Sequence, residues 1–197
     1  AKVIHLEIDP AEVDKNVKTE VAVLGDAKES LGALTQLINK KDHKEWLLEF
    51  RKMEQEEMET VVNEELHPSV DTLSMGEVIH AINKVTDGKA IVVTDVGQHQ
   101  MVACRYAKFQ QSKSMITSGG LGTMGFCLPA AIGAKMGRPD KEVIAVIGDG
   151  GFQMTIQELG TIFQSKTPVK IVVLNNEFLG MVRQWQQLFF EKRYSFT

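Results

Sequence analysis

The chain has 197 residues, 43% hydrophobic and 24% charged, with a net charge of −4. That length allows a buried core, and the slight acidity argues against a polyanion-binding surface, so nucleic acid is excluded as a main partner. No apolar run reaches the ~18 residues of a membrane span, and the two cysteines, Cys104 and Cys127, are too few for a disulfide framework. A reducing, cytoplasmic setting is expected, with a plastid as the alternative.

Lys2–Glu7 opens in the style of a strand rather than of a secretory leader. An Asp9-Pro10 turn, a second strand at Val21–Leu24, a Gly25-Asp26 break and a helix over Lys28–Ile38 follow. Residues 1–40 are α/β in style but too short for a wide sheet. Over residues 41–68, Trp46, Leu47, Phe50 and Met53 repeat at helical spacing before Glu54, Glu56, Glu57 and Glu59, which predicts a helical linker ending at His67-Pro68. The abrupt start and end, at Ala1 and Thr197, read as those of an excerpt from a longer polypeptide or of an incompletely ordered one.

From residue 69 the pattern is regular. Ser74-x-x-Glu77 is a capping box for a helix to about Val85. A strand at Ala90–Thr94 leads through Asp95-Val96-Gly97-Gln98-His99 into a helix to about Phe109. A short strand at Met115–Thr117 precedes a glycine-rich turn and a helix over Pro129–Met136. Val143–Ile147 and Val169–Leu174 are nearly continuous apolar runs, as strands buried on both faces are, with a helix over Gln153–Gln164 between them and another over Leu179–Phe190 after them. Repeated β-α units predict an α/β fold with a doubly wound parallel sheet over 69–197.

Ligands bind beyond the carboxyl ends of such strands. Asp149 and Asn176 sit there, in a G-D-G, 24-residue, N-N pattern, with Gly148, Gly150 and Gly151 beside the acid. One carboxylate, one amide oxygen and glycines that admit a phosphate suit Mg²⁺ bridged to a diphosphate, with a backbone carbonyl near Phe178 as a further ligand. The bland alternatives are a helix cap for Asp149 and a tight turn for Asn176. His99, opening a helix after a strand, can hold an anion or be an exposed helix-start histidine. Met181 and Trp185 lie four apart on the last helix, where apolar residues serve a core or a substrate pocket.

Gly120-Leu121-Gly122-Thr123-Met124-Gly125 supplies a rival reading. It matches G-x-G-x-x-G between strand and helix, and Asp149 falls near the place of the ribose-binding acid of a dinucleotide fold. That reading leaves Gly97-Gln98-His99 and Asn175-Asn176 without a role, whereas a metal–diphosphate site uses all three strand ends. A dinucleotide-binding module without catalysis stays open beside it.

Ser118–Gly125, then Leu128-Pro129-Ala130-Ala131-Ile132-Gly133-Ala134, the G-D-G…N-N pair and Leu179-Gly180-Met181-Val182-Arg183-Gln184-Trp185-Gln186 together resemble the catalytic large subunits of the acetolactate (acetohydroxyacid) synthase family. The resemblance implies condensation of pyruvate with a second 2-ketoacid, pyruvate or 2-ketobutyrate, with loss of CO₂, in branched-chain amino-acid biosynthesis. Another thiamine-dependent decarboxylase or carboligase is the alternative within the class. Thiamine diphosphate, Mg²⁺ and a structural FAD are the implied cofactors. Asp149, Asn176 and the Phe178 carbonyl would bind the metal. Gln98, His99, Gly122, Met124, Asp149, Gly150, Gly151, Asn176 and Met181 would bind the thiamine cofactor, with Met124 beneath its thiazolium. Met181, Val182 and Trp185 would line the acceptor pocket, Trp185 favouring 2-ketobutyrate. Glu7, Ile8, Gly25 and Asp26 would touch FAD, as the tail of a Rossmann-like middle domain. The family's catalytic glutamate belongs to a pyrimidine-binding domain that these residues do not contain, so no catalytic residue is assigned and the fragment alone is expected to be inactive. A homodimer or tetramer and a regulatory small subunit are the implied partners. Cys127 departs from the family pattern, standing where a glycine is expected, and puts the packing of its helix in question.

Overall fold

Ile4–Glu7 (β1) and Val21–Leu24 (β2) pair in parallel, Ile4 opposite Val21 and Glu7 opposite Leu24, in a computed structural model that describes residues 2–197. Between them Asp9 accepts the Ala11 N–H at 2.9 Å and starts a single 3₁₀ turn, Pro10–Glu12. Helix α1 (Ala27–Leu37) opens on Asp26, whose carboxylate takes the N–H groups of Lys28 and Glu29, two of the donors a helix start leaves free. A two-stranded sheet buries little, and Ile8, Leu24 and Leu37 stay exposed. These elements belong to the first of two compact units, which runs to Met53; the second spans Glu54–Thr197.

Helix α2 (Lys44–Glu57) continues through a π-helical stretch, Met58–Val62, into α3 (Asn63–Leu66). The linker was expected to present a solvated acidic face, and beyond Glu54 it does more than that. Val62 and Leu66 pack on the core of the second unit. Glu57 pairs with Arg105 at 2.5 Å, and Glu65 accepts the Tyr106 hydroxyl.

The second unit continues with α4 (Met75–Thr86), opened by a complete Ser74/Glu77 capping box. Then come β3 (Ile91–Thr94), α5 (Gln98–Tyr106), β4 (Met115–Ile116) and α6 (Cys127–Gly137), and after them β5 (Val143–Gly148), α7 (Asp149–Met154), α8 (Glu158–Ser165), β6 (Lys170–Leu174) and α9 (Gly180–Phe189). Strand order is β4-β3-β5-β6 and every pairing is parallel. Side chains alternate as the pleat requires. Val92, Ile144 and Val146 face Ile79, Ala103 and Tyr106 on one side. Ile91, Val93, Val143, Ala145 and Ile147 face Cys127 and Ala131 on the other. Helices cover both faces, so the doubly wound sheet expected from the sequence is present.

Two helix limits differ from the sequence reading, each for a local reason. Helix α5 stops at Tyr106 rather than near Phe109, because the Asn83 carboxamide donates to the Tyr106 carbonyl at 2.7 Å and accepts the Lys108 N–H at 2.9 Å, turning the chain outward. The single helix expected over Gln153–Gln164 is two, since the Thr155 hydroxyl leaves the helix to donate to the Gly125 carbonyl. The first of the two starts at Asp149, directly on the end of β5.

Candidate functional site

From β3 the chain steps outward to β4, then returns across β3 to β5 and on to β6. The direction of winding therefore reverses between β3 and β5, and a crevice opens beyond their carboxyl ends, where open α/β sheets bind ligands. A cavity of about 370 Å³ occupies that place, within the range of small-molecule sites. Gln98, His99, Gly122, Met124, Asp149, Gly150, Gly151, Asn176, Phe178, Met181, Val182 and Trp185 all line it, the whole set that the sequence singled out for cofactor, metal and acceptor.

Gly148 is opposite Leu174 in the β5–β6 register. Asp149 and Asn176 thus leave adjacent strands within two residues of one level, and adjacent strands lie about 4.8 Å apart. Asp149 is no helix cap, because that position in α7 is held by Gly148. Asn176 does form a tight turn, its Oδ1 accepting the Phe178 N–H at 3.2 Å, and it faces the cleft at the same time. No cluster of three or more His, Cys, Asp or Glu gathers for a metal among the described residues. A cation here would meet one carboxylate, one amide oxygen and backbone carbonyl, leaving the rest of its shell for ligand oxygens, which is how Mg²⁺ is held beside phosphates.

His99 is buried, contrary to the exposed alternative, and its Nε2 has no hydrogen-bond partner among the described residues. Burial pushes its pKa below the ordinary histidine value, while the Asp95 and Asp149 carboxylates pull it back up. The ring lies so close to Gly148 that a Cβ there would come within 2.9 Å of it. An unpartnered buried imidazole nitrogen costs free energy until a polar ligand meets it. The first turn of α7 adds Gly150 and Gly151, which carry no side chains of their own into the cavity, and Met124 Cε hangs 3.8 Å from where a Gly150 Cβ would be. The residues present therefore fit a metal-bridged diphosphate, with Met124 as an apolar wall of the same cavity.

One residue escaped the sequence reading. Asp95 is fully buried at the end of β3, where its two oxygens accept the N–H groups of Gly125 and Cys127, each at 3.1 Å. It ties the glycine-rich turn and the start of α6 to the central strand. A Cβ on Gly151 would come 1.7 Å from Asp95 Oδ2, so only glycine lets α7 begin over that carboxylate. The available signal was an acid closing an otherwise apolar strand with no turn of its own to make. Cys127, the departure from the family pattern, is fully buried with Sγ 3.1 Å from the Val93 carbonyl. Its side chain bridges α6 to β3 and leaves the helix intact.

On α9, Met181 is half-buried, while Val182 and Trp185 are exposed toward the cleft. The Arg183 guanidinium lies between the rings of Phe178 and Tyr194, 3.9 and 4.3 Å from their centroids. Glu7, Ile8, Gly25 and Asp26 form a separate group in the first unit: Gly25 N–H donates to the Glu7 carbonyl at 3.0 Å and the Glu7 carboxylate caps the N–H of Ile8 at 2.8 Å. The dinucleotide reading loses its footing in the strand order. Its glycine turn follows β4, a two-residue strand at the sheet edge, whereas the fingerprint needs the strand beside the switch point.

Residues 95–197 match a family described as thiamine pyrophosphate enzyme, C-terminal TPP binding domain. Over the full length the chain is 45% identical to the acetolactate synthase large subunit of Lactococcus lactis subsp. lactis (strain IL1403), covering 99% of this chain and 33% of that protein. It is 44% identical to the acetolactate synthase isozyme 2 large subunit of Escherichia coli (strain K12), covering 100% of this chain and 34% of that protein. Against acetolactate synthase 1, chloroplastic, of Nicotiana tabacum the identity is 43%, with 100% and 30% covered. The chain spans about a third of the length of these relatives. Matched over more than half its residues, and with the strand-end cleft that such a ligand requires, the chain belongs to the thiamine pyrophosphate enzymes and carries their C-terminal TPP-binding domain.

Proposed function

We propose that this cleft holds Mg²⁺ and thiamine diphosphate, and that the protein to which it belongs condenses pyruvate with pyruvate or 2-ketobutyrate in the manner of an acetolactate synthase. The reading rests above all on the convergence of Asp149, Asn176, His99 and the glycine start of α7 on one cavity at the switch point. Identity above 40% to several acetolactate synthase large subunits supports the choice of reaction.

Asp149, Asn176 and the Phe178 carbonyl would hold the metal, and Gln98, His99, Gly122 and the N–H groups of Gly150 and Gly151 the diphosphate. When bound, thiamine diphosphate supplies a carbon nucleophile and an electron sink for decarboxylation of a 2-ketoacid. The chain contributes binding, orientation and exclusion of water. His99, whose buried Nε2 has no hydrogen-bond partner among the described residues, would donate from that nitrogen to a diphosphate oxygen. Met124 would support the cofactor's ring, and Met181, Val182 and Trp185 would wall the place of the acceptor ketoacid. Residues 69–197 would then be the diphosphate-binding domain, residues 41–68 the connection, and residues 1–40 the end of an FAD-holding middle domain contacted through Glu7, Ile8, Gly25 and Asp26. Assembly as a homodimer or tetramer and association with a regulatory small subunit belong to the same proposal.

Calorimetric titration of the chain with thiamine diphosphate, with and without Mg²⁺, tests the core of it. Binding should require the metal, and Asp149→Ala should weaken it by at least about a hundredfold, the scale of losing a metal-site residue. Metal-independent binding of NAD would overturn the assignment.

A further inference from the structure

We propose that Gln184 is a positioning residue which, acting through Gln98, reinforces the orientation in which the Asn176 carboxamide turns its oxygen to the cation. The inference deepens the metal site proposed above and rests on that reading.

An asparagine ligand poses a problem that an aspartate does not. Its two terminal atoms are nearly equal in size, but only the oxygen coordinates a cation; turned by half a rotation, the same side chain presents an NH₂ group and repels it. Something has to choose between the two. At one end the choice is made by the backbone: the Phe178 N–H lies 3.2 Å from the Asn176 amide, and only an oxygen accepts it. The amide nitrogen, Nδ2, then points the other way and requires an acceptor, which Gln98 Oε1 provides at 3.3 Å. With its oxygen so engaged, Gln98 directs its own Nε2 outward and requires an acceptor in turn. Gln184 Oε1 provides it at 3.1 Å, from the second turn of α9. Three carboxamides thus form one directed chain, each donating to the next, and reversing any one reverses them all.

Gly180 gives a second, independent sign that this chain is built into the fold. A Cβ at that position would come 2.3 Å from Gln98 Oε1 and 2.7 Å from Asn176 Nδ2, so α9 starts on a glycine where the two amides meet. Gln184 is absent from the walls of the cleft and lines an adjoining cavity, while Gln98 lines both. Its influence on a cation therefore passes through Gln98.

The test titrates the intact protein with Mg²⁺ in the presence of excess thiamine diphosphate and reads the heat of binding. Gln184→Met, similar in size but without an accepting oxygen, should weaken Mg²⁺ about threefold to tenfold, the worth of one neutral hydrogen bond. Gln184→Glu, which still accepts from Gln98, should restore the affinity. The decisive arm uses an Asn176→Asp background, whose two equivalent oxygens need no orientation; there Gln184→Met should leave Mg²⁺ affinity unchanged. Wild-type affinity in Gln184→Met, or an equal loss in both backgrounds, overturns the proposal while leaving the metal site standing. If Gln184→Met fails to fold, Gln184→Asn carries the same test, its amide being one methylene short of Gln98. Absence of Mg²⁺ binding in the wild-type protein removes the metal reading itself, and this inference with it.

Discussion

Gly151→Ala is a methyl-sized perturbation that should act far beyond its size. The new Cβ would stand 1.7 Å from Asp95 Oδ2, well inside any tolerable contact. Asp95 cannot simply swing away. It is fully buried, and its oxygens hold the N–H groups of Gly125 and Cys127. Moving it forfeits at least one hydrogen bond to a charged group, about 1.5–3 kcal/mol. Moving α7 instead overpacks the unit at a cost of about 1–3 kcal/mol. Alanine's better helix propensity returns at most about 1 kcal/mol. The net loss is about 2 kcal/mol, which for a unit of this size lowers Tm by roughly 4–8 °C. Circular-dichroism melting of the chain reads it directly. Gly160→Ala is the control: it lies within α8 with no atom near its missing Cβ, and should raise Tm slightly. Asp95→Ser should make Gly151→Ala cheaper than it is in the wild type, a coupling that independent sites do not show. A Gly151→Ala protein melting at or above the wild-type temperature would refute the close approach on which the reasoning depends.

Two further outcomes follow from buried groups. Burial, with the bond to Glu65 behind it, pushes the Tyr106 pKa up to about 12. The unfolded phenol ionises near its ordinary value of about 10. Its contribution to stability is therefore complete below about pH 10 and lost as pH rises toward 12; urea unfolding midpoints should fall across that window and fall less in Tyr106→Phe. Burial also pushes the Cys127 thiol up, and Asp95 beside it adds to the effect. A disulfide reagent at pH 8 should modify Cys104, which is exposed, and reach Cys127 only after denaturant is added; modification of both in the native protein contradicts the packing of α6 on β3.

What the sequence disclosed, and what it withheld, divide along the range of the interactions involved. Strands β3 and β5 were legible because burial on both faces leaves little room for polar residues, and their limits were marked by the glycines and acids that follow; β6, expected to be buried on both faces, lies at the end of the strand order with Lys170 and Val173 exposed, and only its β-branched run announced it. The cleft was legible for the same reason: a ligand at strand ends draws its residues from short segments immediately after each run. The N-terminus of α4 was written out in full by Ser74 and Glu77. By contrast, the end of α5 was set by Asn83, 23 residues earlier in the chain, and the break between α7 and α8 by a Thr155–Gly125 bond across 30 residues. No local pattern announces such partners.

The competing readings of the glycine turn make the same point from the other side. As a string, G-x-G-x-x-G before a helix serves a dinucleotide and a thiamine enzyme equally well. What separates them is where the preceding strand sits in the sheet, and β4 owes its edge position to the whole winding order rather than to any residue of its own. Asp95 illustrates how such long-range choices become fixed. Its carboxylate meets the turn 30 residues on, the α6 start 32 residues on, and the bare Cα of Gly151 in the helix that carries the proposed metal ligand Asp149. One buried acid thereby sets the mutual placement of the glycine turn, the cavity-lining Met124 it carries, and the helix start on which a diphosphate would rest. The chemistry proposed for the cleft depends on residues the sequence displays, but their alignment depends on one it does not advertise.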